Sequence, residues 1–167
     1  MPRPRADQLT QARALAETDE LTGLPNRRSW EARIREAVTE ATLGRKKLCV
    51  ALVDLDYFKE FNERYGHQTG DRFLKTAASG WRSALRQGDT LARYGGEEFG
   101  VVLPSCALDE ARGVLERLRA LIPRGLTCSI GLAQWSPGES DVEIVLRADQ
   151  ALYEAKGSGR DTLVAAA

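Results

Sequence analysis

Residues Asp89 to Pro104 read DTLARYGGEEFGVVLP, and this stretch decides what kind of fold the chain can make. DTLARY and EFGVVLP are both rich in the β-branched, aromatic and apolar residues that strands favour. Gly95 and Gly96 between them supply the backbone freedom of a tight turn, so the stretch reads as an antiparallel hairpin. Pro104 ends its second strand. The turn also carries Glu97 and Glu98 side by side. Adjacent carboxylates repel, and any burial raises the cost of their charge, so a cation is expected beside them.

Working back toward the N-terminus, KKLCVALVDL is a continuous apolar run and reads as a central strand buried on both faces. It runs straight into Asp54. An ionised carboxylate at the end of such a strand is costly unless paired or bound to metal. Asp54 and Asp56 share a face if the strand continues and separate if the chain turns into a helix. Asp56 is expected to cap that helix, which leaves Asp54 as the metal candidate. If the hairpin folds beside this strand, its turn delivers Glu97 and Glu98 to Asp54. Neighbouring residues on a strand face opposite ways, so only one glutamate need enter the site. Oxygen donors of this kind suit Mg2+, with Mn2+ as an alternative; Mg2+ keeps few protein carboxylates and takes its other ligands from water and phosphate.

The rest of the chain is mainly helical. Trp30, Ile34, Val38 and Ala41 repeat at helical spacing, with Pro25 placed for the first turn and Gly44 for the stop. HQTGDRFLKTAASGWRSALRQG carries the same period through Phe73, Leu74, Ala77, Trp81 and Leu85. LDEARGVLERLRALI forms another amphipathic helix, and DVEIVLRADQALYEAKGSG a last one, with Asp141 as its candidate cap. LTCSIGLAQW alternates as a half-buried strand should, and DTLVA closes as a short strand. Helices mixed with antiparallel strands indicate an α+β fold. DQLTQARALAETDE is helix-prone, either a frayed terminal helix or the last turns of a longer connecting helix.

Composition sets limits. The chain has 167 residues, one domain's worth, with 24 basic and 24 acidic side chains and no net charge. Broad nucleic-acid binding is not expected from that balance. No apolar run reaches the roughly 18 residues of a membrane helix. The N-terminus lacks a signal-peptide core, and Cys49, Cys106 and Cys128 are spaced as reduced core residues. Together these point to a cytoplasmic protein with no membrane segment in this chain.

Several motifs now agree. RYGGEEF (Arg93–Phe99) resembles the signature of GGDEF domains, the diguanylate cyclases. DELTGLPNRR (Asp19–Arg28), DLDYFKEFNERYGHQTGD (Asp54–Asp71), CSIGLA (Cys128–Ala133) and RADQALYEAKGSGRD (Arg147–Asp161) resemble that family's other segments, in its order. The resemblance implies a palm-like nucleotidyl-cyclase fold, a central, mostly antiparallel sheet surrounded by helices. It divides the chain into an N-terminal helical linker (1–18) and the GGDEF domain (19–167). It implies Mg2+-dependent condensation of two GTP into cyclic di-GMP, with release of two pyrophosphates. The reaction takes place in a homodimer whose domains each hold one GTP, aligned by an upstream sensory domain not in this chain.

The resemblance also implies roles. Asp54, the carbonyl of Leu55 and Glu97 hold metal; Glu97 is in addition the proposed general base, and Glu98 assists at the metal or faces away. Lys59 stabilises the transition state. Asn62 and Asp71 read guanine. A carboxylate at 71 accepts from the N1–H and N2–H2 edge that adenine lacks, so the site rejects the wrong purine by leaving its own groups unpaired. Lys156 and Arg160 clamp the triphosphate, although cations at a helix C-terminus are also expected on dipole grounds. Arg86 and Asp89 match the family's R-x-x-D product-inhibition motif, which Arg117 joins from its own or a second domain. Two other readings remain: a non-catalytic sensor of cyclic di-GMP, and a GTP-binding regulator of a neighbouring domain.

Overall fold

Strand β1 (Leu48–Leu55) is the centre of the fold and is buried along its whole length. The computed structural model describes residues 16–167. Most of the predicted N-terminal helix falls on residues 1–15, outside the described residues. β2 (Thr90–Arg93) and β3 (Glu98–Pro104) form the hairpin. β3 lies antiparallel to β1 on one side, and β4 (Cys128–Gln134) lies antiparallel to it on the other. β5 (Leu163–Ala165) adds a parallel edge to β4, giving the order β2-β3-β1-β4-β5. The sheet is thus mostly antiparallel and carries helices on both faces, an α+β architecture.

The two faces of β1 go to two cores. Leu48, Val50 and Leu52 meet Trp30, Ile34, Ala37 and Ala41 of α1 (Arg27–Gly44) and Ile144, Ala148 and Leu152 of α5 (Asp141–Gly157). Cys49, Ala51, Val53 and Leu55 face the other way. They join Phe58 of α2 (Phe58–Tyr65), Phe73, Ala77 and Trp81 of α3 (His67–Ala84), and Leu115 and Leu118 of α4 (Leu108–Ala120). Each fully buried Leu or Ile contributes about 1.5–3 kcal/mol. All three cysteines are free and buried, and burial raises the thiols of Cys49 to about 12 and Cys106 to about 11.

Helix α5 packs unusually close to the sheet. A Cβ on Gly131 of β4 would stand 2.1 Å from the Ala148 carbonyl oxygen and 2.3 Å from the Leu152 nitrogen. Only glycine lets the helix backbone approach so far, and this seats the middle of α5 on β4.

Four local expectations need correction. β4 is buried on both faces, not half-buried, because α5 covers one side and the α4 core the other. Pro25 stands before the helix: Asn26 is the cap of α1, accepting from the Ser29 N–H, while Pro25 bridges to Thr18. Ser140, not Asp141, caps α5, in a reciprocal capping box with Glu143. Asp56 does not cap α2. The capping position is Tyr57, in a left-handed conformation with no side-chain bond to the helix.

Candidate active site

The register of β1 and β3 sets Asp54 directly opposite Glu98. Asp54 follows Val50 and Leu52 on the α5-covered face and is only 6% exposed. Its carboxylate receives the Lys156 ammonium at 2.7 Å, delivered by the last turn of α5. The Glu98 carboxyl is pushed above its ordinary value, first by burial and then by the negative charge of Asp54, with Lys156 pulling the other way. Glu97 lies in the turn, its carbonyl accepting from the Leu55 N–H at 3.2 Å.

These groups fit a divalent cation. Lys156 already marks Asp54 as a carboxylate that needs positive charge. Among the described residues, no group of three or more His, Cys, Asp or Glu side chains stands close enough to enclose a metal ion. Asp54 and Glu98 form an oxygen-donor pair of the chemistry that hard divalent cations prefer.

Chain direction separates Asp56 from Asp54. Asp56 is buried and accepts from the Thr127 and Ser129 hydroxyls, each at 2.7 Å, and from the Asp161 N–H at 3.0 Å. It therefore ties the end of β1 to β4 and to the loop after α5. Arg160 in that loop lays its guanidinium over the Tyr57 ring, 4.8 Å from the centroid.

A second cluster forms where α2 meets α3. Phe61 packs on Phe73 with centroids 5.3 Å apart, and Gly66 turns the chain between the helices with φ of 85°. Asn62 is half-buried, and its Oδ1 is buried with no hydrogen-bond partner. A Cβ at Gly70 would stand 1.8 Å from that oxygen. Asp71 follows on the exposed side of α3. An orphaned buried acceptor is costly in a folded chain, and the residue that follows Gly70 is the exposed Asp71.

Residues 16–162 match the family model described as diguanylate cyclase, GGDEF domain. The chain belongs to the GGDEF family. It is 43% identical over 165 residues to the diguanylate cyclase DgcP of Pseudomonas aeruginosa, covering 93% of this chain and 25% of that protein. It is 38% identical to the response regulator PleD of Caulobacter vibrioides, covering 90% of this chain and 36% of that one. The chain therefore spans only a quarter to about a third of these curated relatives. Among solved structures, the coiled coil and GGDEF domain of DgcB from Caulobacter crescentus, in complex with c-di-GMP, superposes with a TM-score of 0.92. The identity is 36%, over 96% of this chain and 91% of that one.

The other residues singled out in the sequence make contacts of their own. Lys59 projects from α2 with its side chain 83% exposed and its ammonium 3.9 Å from Glu63. Arg86 and Asp89 close on each other: the Asp89 carboxylate accepts from the Arg86 backbone N–H at 3.2 Å and from its Nε at 2.9 Å. Arg86 also donates to the Pro104 carbonyl. Arg117 is exposed on α4, and no bond joins it to that pair among the described residues.

Sequence reasoning missed Arg93, Asp19 and the true task of Asp56. Arg93 donates to the Gly96 carbonyl at 2.8 and 3.2 Å and to both Asp19 oxygens at 3.1 and 3.2 Å. It thereby fastens the acidic turn to the segment before α1. The available signal was an Arg near the end of DTLARY, read only as a strand, and an Asp near the end of DQLTQARALAETDE, read only as helix-prone.

Proposed function

We propose that this GGDEF domain condenses two GTP into cyclic di-GMP with release of two pyrophosphates, as a Mg2+-dependent homodimer. The observation that carries the reading is the convergence of Asp54 and Glu98 in register at the strand ends, with Lys156 already on Asp54. Membership of the family supports it, as does the unpaired Asn62 oxygen held against Gly70.

Asp54, the Leu55 carbonyl, Glu97 and Glu98 are the groups that would hold Mg2+, with Mn2+ able to substitute. When bound, the ion supplies charge neutralisation for the phosphates in the transition state. Asn62 and Asp71 hold the guanine edge, and Lys156 and Arg160 take the triphosphate. Glu97 accepts the proton of the ribose 3′-hydroxyl, whose oxygen forms a bond to the α-phosphorus of the GTP in the opposed domain. The bond from that phosphorus to the bridging oxygen breaks, and pyrophosphate leaves. Lys59, exposed on α2, meets the negative charge that develops. Two domains are required because each supplies one nucleophile and one leaving group.

Arg86 and Asp89 form the product-inhibition site, with Arg117 as a further contact. The pairing of Arg86 with Asp89 holds that loop ordered before any ligand arrives. Forked arginine contacts suit both phosphate and the guanine edge.

Incubation of the protein with GTP and Mg2+, followed by chromatography of the products, tests the reading. Cyclic di-GMP and pyrophosphate in a ratio of one to two are expected. Binding of cyclic di-GMP without turnover would replace the enzyme with a sensor; GTP binding without product would make it a regulator.

A further inference from the structure

Left-handed backbone gathers at the corner between the end of β1 and the loop after α5. Five non-glycine residues among those described adopt left-handed φ: Arg45, Tyr57, Ser105, Arg160 and Asp161. Three of them meet here, at 57°, 65° and 43°, preceded by Gly159 at 108°. Such conformations persist only where surrounding bonds over-determine them, and they concentrate where geometry serves function.

The bonds that do so are all present. The Arg160 N–H reaches back to the Ala155 carbonyl at 3.1 Å. The Asp161 N–H is held by the buried carboxylate of Asp56 at 3.0 Å. Arg119 of α4 donates to the Asp161 carboxylate at 2.7 Å and to its carbonyl at 3.1 Å. What these bonds leave in solvent is the Arg160 guanidinium, lying over the Tyr57 ring with its Nη1 3.5 Å from the phenolic oxygen. Tyr57 is itself 57% exposed, so core packing does not account for the ring's place. A cation over an aromatic face is attracted to it and loses rotamer freedom before any ligand binds.

We infer that Tyr57 and Asp56 are positioning residues for Arg160: the ring is a platform for the guanidinium, the carboxylate anchors its backbone, and the pair present it ready to the polyphosphate tail of a nucleoside triphosphate. This rests on the reading of Arg160 as a triphosphate ligand. Neither residue touches the nucleotide through its side chain in this scheme; both act by cutting the ordering cost of Arg160. Loss of either therefore weakens binding of a nucleotide with a β- and γ-phosphate and spares one without them.

The test is a double-mutant cycle on the full chain, measured by calorimetry with a non-hydrolysable GTP analogue and Mg2+, and in parallel with GMP. Tyr57 is exposed, so Tyr57→Ala leaves the core intact, and melting checks this. The expected result is about twofold to fivefold weaker analogue binding by Tyr57→Ala, from the strength of an exposed cation–π contact. GMP binding stays unchanged, and Tyr57→Ala causes no further loss in an Arg160→Ala background. Asp56→Asn, which keeps an oxygen for the Asp161 N–H, binds the analogue more tightly than Asp56→Ala. Equal losses from Tyr57→Ala with and without Arg160, or an equal loss for GMP, overturn the inference and leave the triphosphate reading standing. Analogue binding unaltered by Arg160→Ala overturns that reading and the inference together.

Discussion

Asp54 and Glu98 are register partners across β1 and β3, so two carboxylates share one face at the end of the sheet. Lys156 compensates one of them at 2.7 Å, and the Glu98 carboxyl stays pushed up by burial and by Asp54. The pair is therefore under electrostatic tension. Glu98→Gln should relieve it and raise stability by about 1 kcal/mol, within the range for removing a like-charge neighbour. That corresponds to a Tm gain of roughly 2–4 °C for a chain of this size. Added Mg2+ should then shift the melting curve of the native protein upward and the variant's far less. A variant that melts lower than the native protein without metal would show that Glu98 is satisfied, not strained.

Gly70 and Asn62 make a second testable contact. A methyl group at position 70 would lie 1.8 Å from the Asn62 Oδ1, so Gly70→Ala must displace that amide. Helix propensity favours Ala by about 1 kcal/mol in an interior turn, so the fold should survive with little change in Tm. Guanine recognition should not. The expected outcome is a KM for GTP raised about tenfold, equivalent to about 1.4 kcal/mol, with far-UV circular dichroism unchanged. An unaltered KM would remove Asn62 from the base-reading site.

Arg86 and Asp89 differ in exposure, and this separates their variants. The Arg86 side chain is 49% exposed, whereas that of Asp89 is 3% exposed and holds the loop together. Arg86→Ala should raise the cyclic di-GMP concentration needed for half-inhibition at least about tenfold, the loss expected for a forked charged contact, with initial rates unaltered. Asp89→Ala should relieve inhibition and also lower Tm, since it frees the Arg86 N–H and guanidinium. Full inhibition retained in Arg86→Ala would show that any feedback acts elsewhere.

How much of this was legible in the sequence depends on distance along the chain. The hairpin, the central strand and α3 follow from patterns inside one segment, and there the period of Phe73, Ala77 and Trp81 was enough. Fine boundaries depended on competing local donors. Ser140 and Asp141 are both good caps, and only the reciprocal bond to Glu143 selects the first. β4 read as half-buried because Ser129 and Gly131 look polar or neutral. Gly131 is instead the contact surface of α5, and Ser129 is spent on Asp56. Asp56 was misread for the same reason: its partners are Thr127, Ser129 and Asp161, more than 70 positions away. The apolar strand and the glycine turn pointed to Asp54, Glu97 and Glu98, and resemblance to a family located the other candidate site residues, whereas the Lys156 contact with Asp54, spanning 102 positions, needed coordinates.

Asp19 and Arg93 give the last prediction, one of pH. Burial works against the Asp19 charge, but the Thr22 hydroxyl and N–H and the Arg93 guanidinium outweigh it and hold the carboxyl below its ordinary value of 3.8. In the window between the depressed folded value and 3.8, the unfolded chain binds more protons than the folded one, so stability rises with pH there. The contribution is fully present above the unfolded value and is lost as pH falls through the folded one. Asp19→Asn should cost roughly 1–2 kcal/mol at pH 6, as a charge-assisted bond of this kind does, and the gap to the native protein should close as pH falls below about 4. Urea unfolding at a series of pH values measures it. Because Arg93 also holds the Gly96 carbonyl, the same variant should lower the rate of cyclic di-GMP formation at neutral pH. A stability gap that stays constant down to pH 3 would mean that the Asp19 carboxylate is not what Arg93 draws on.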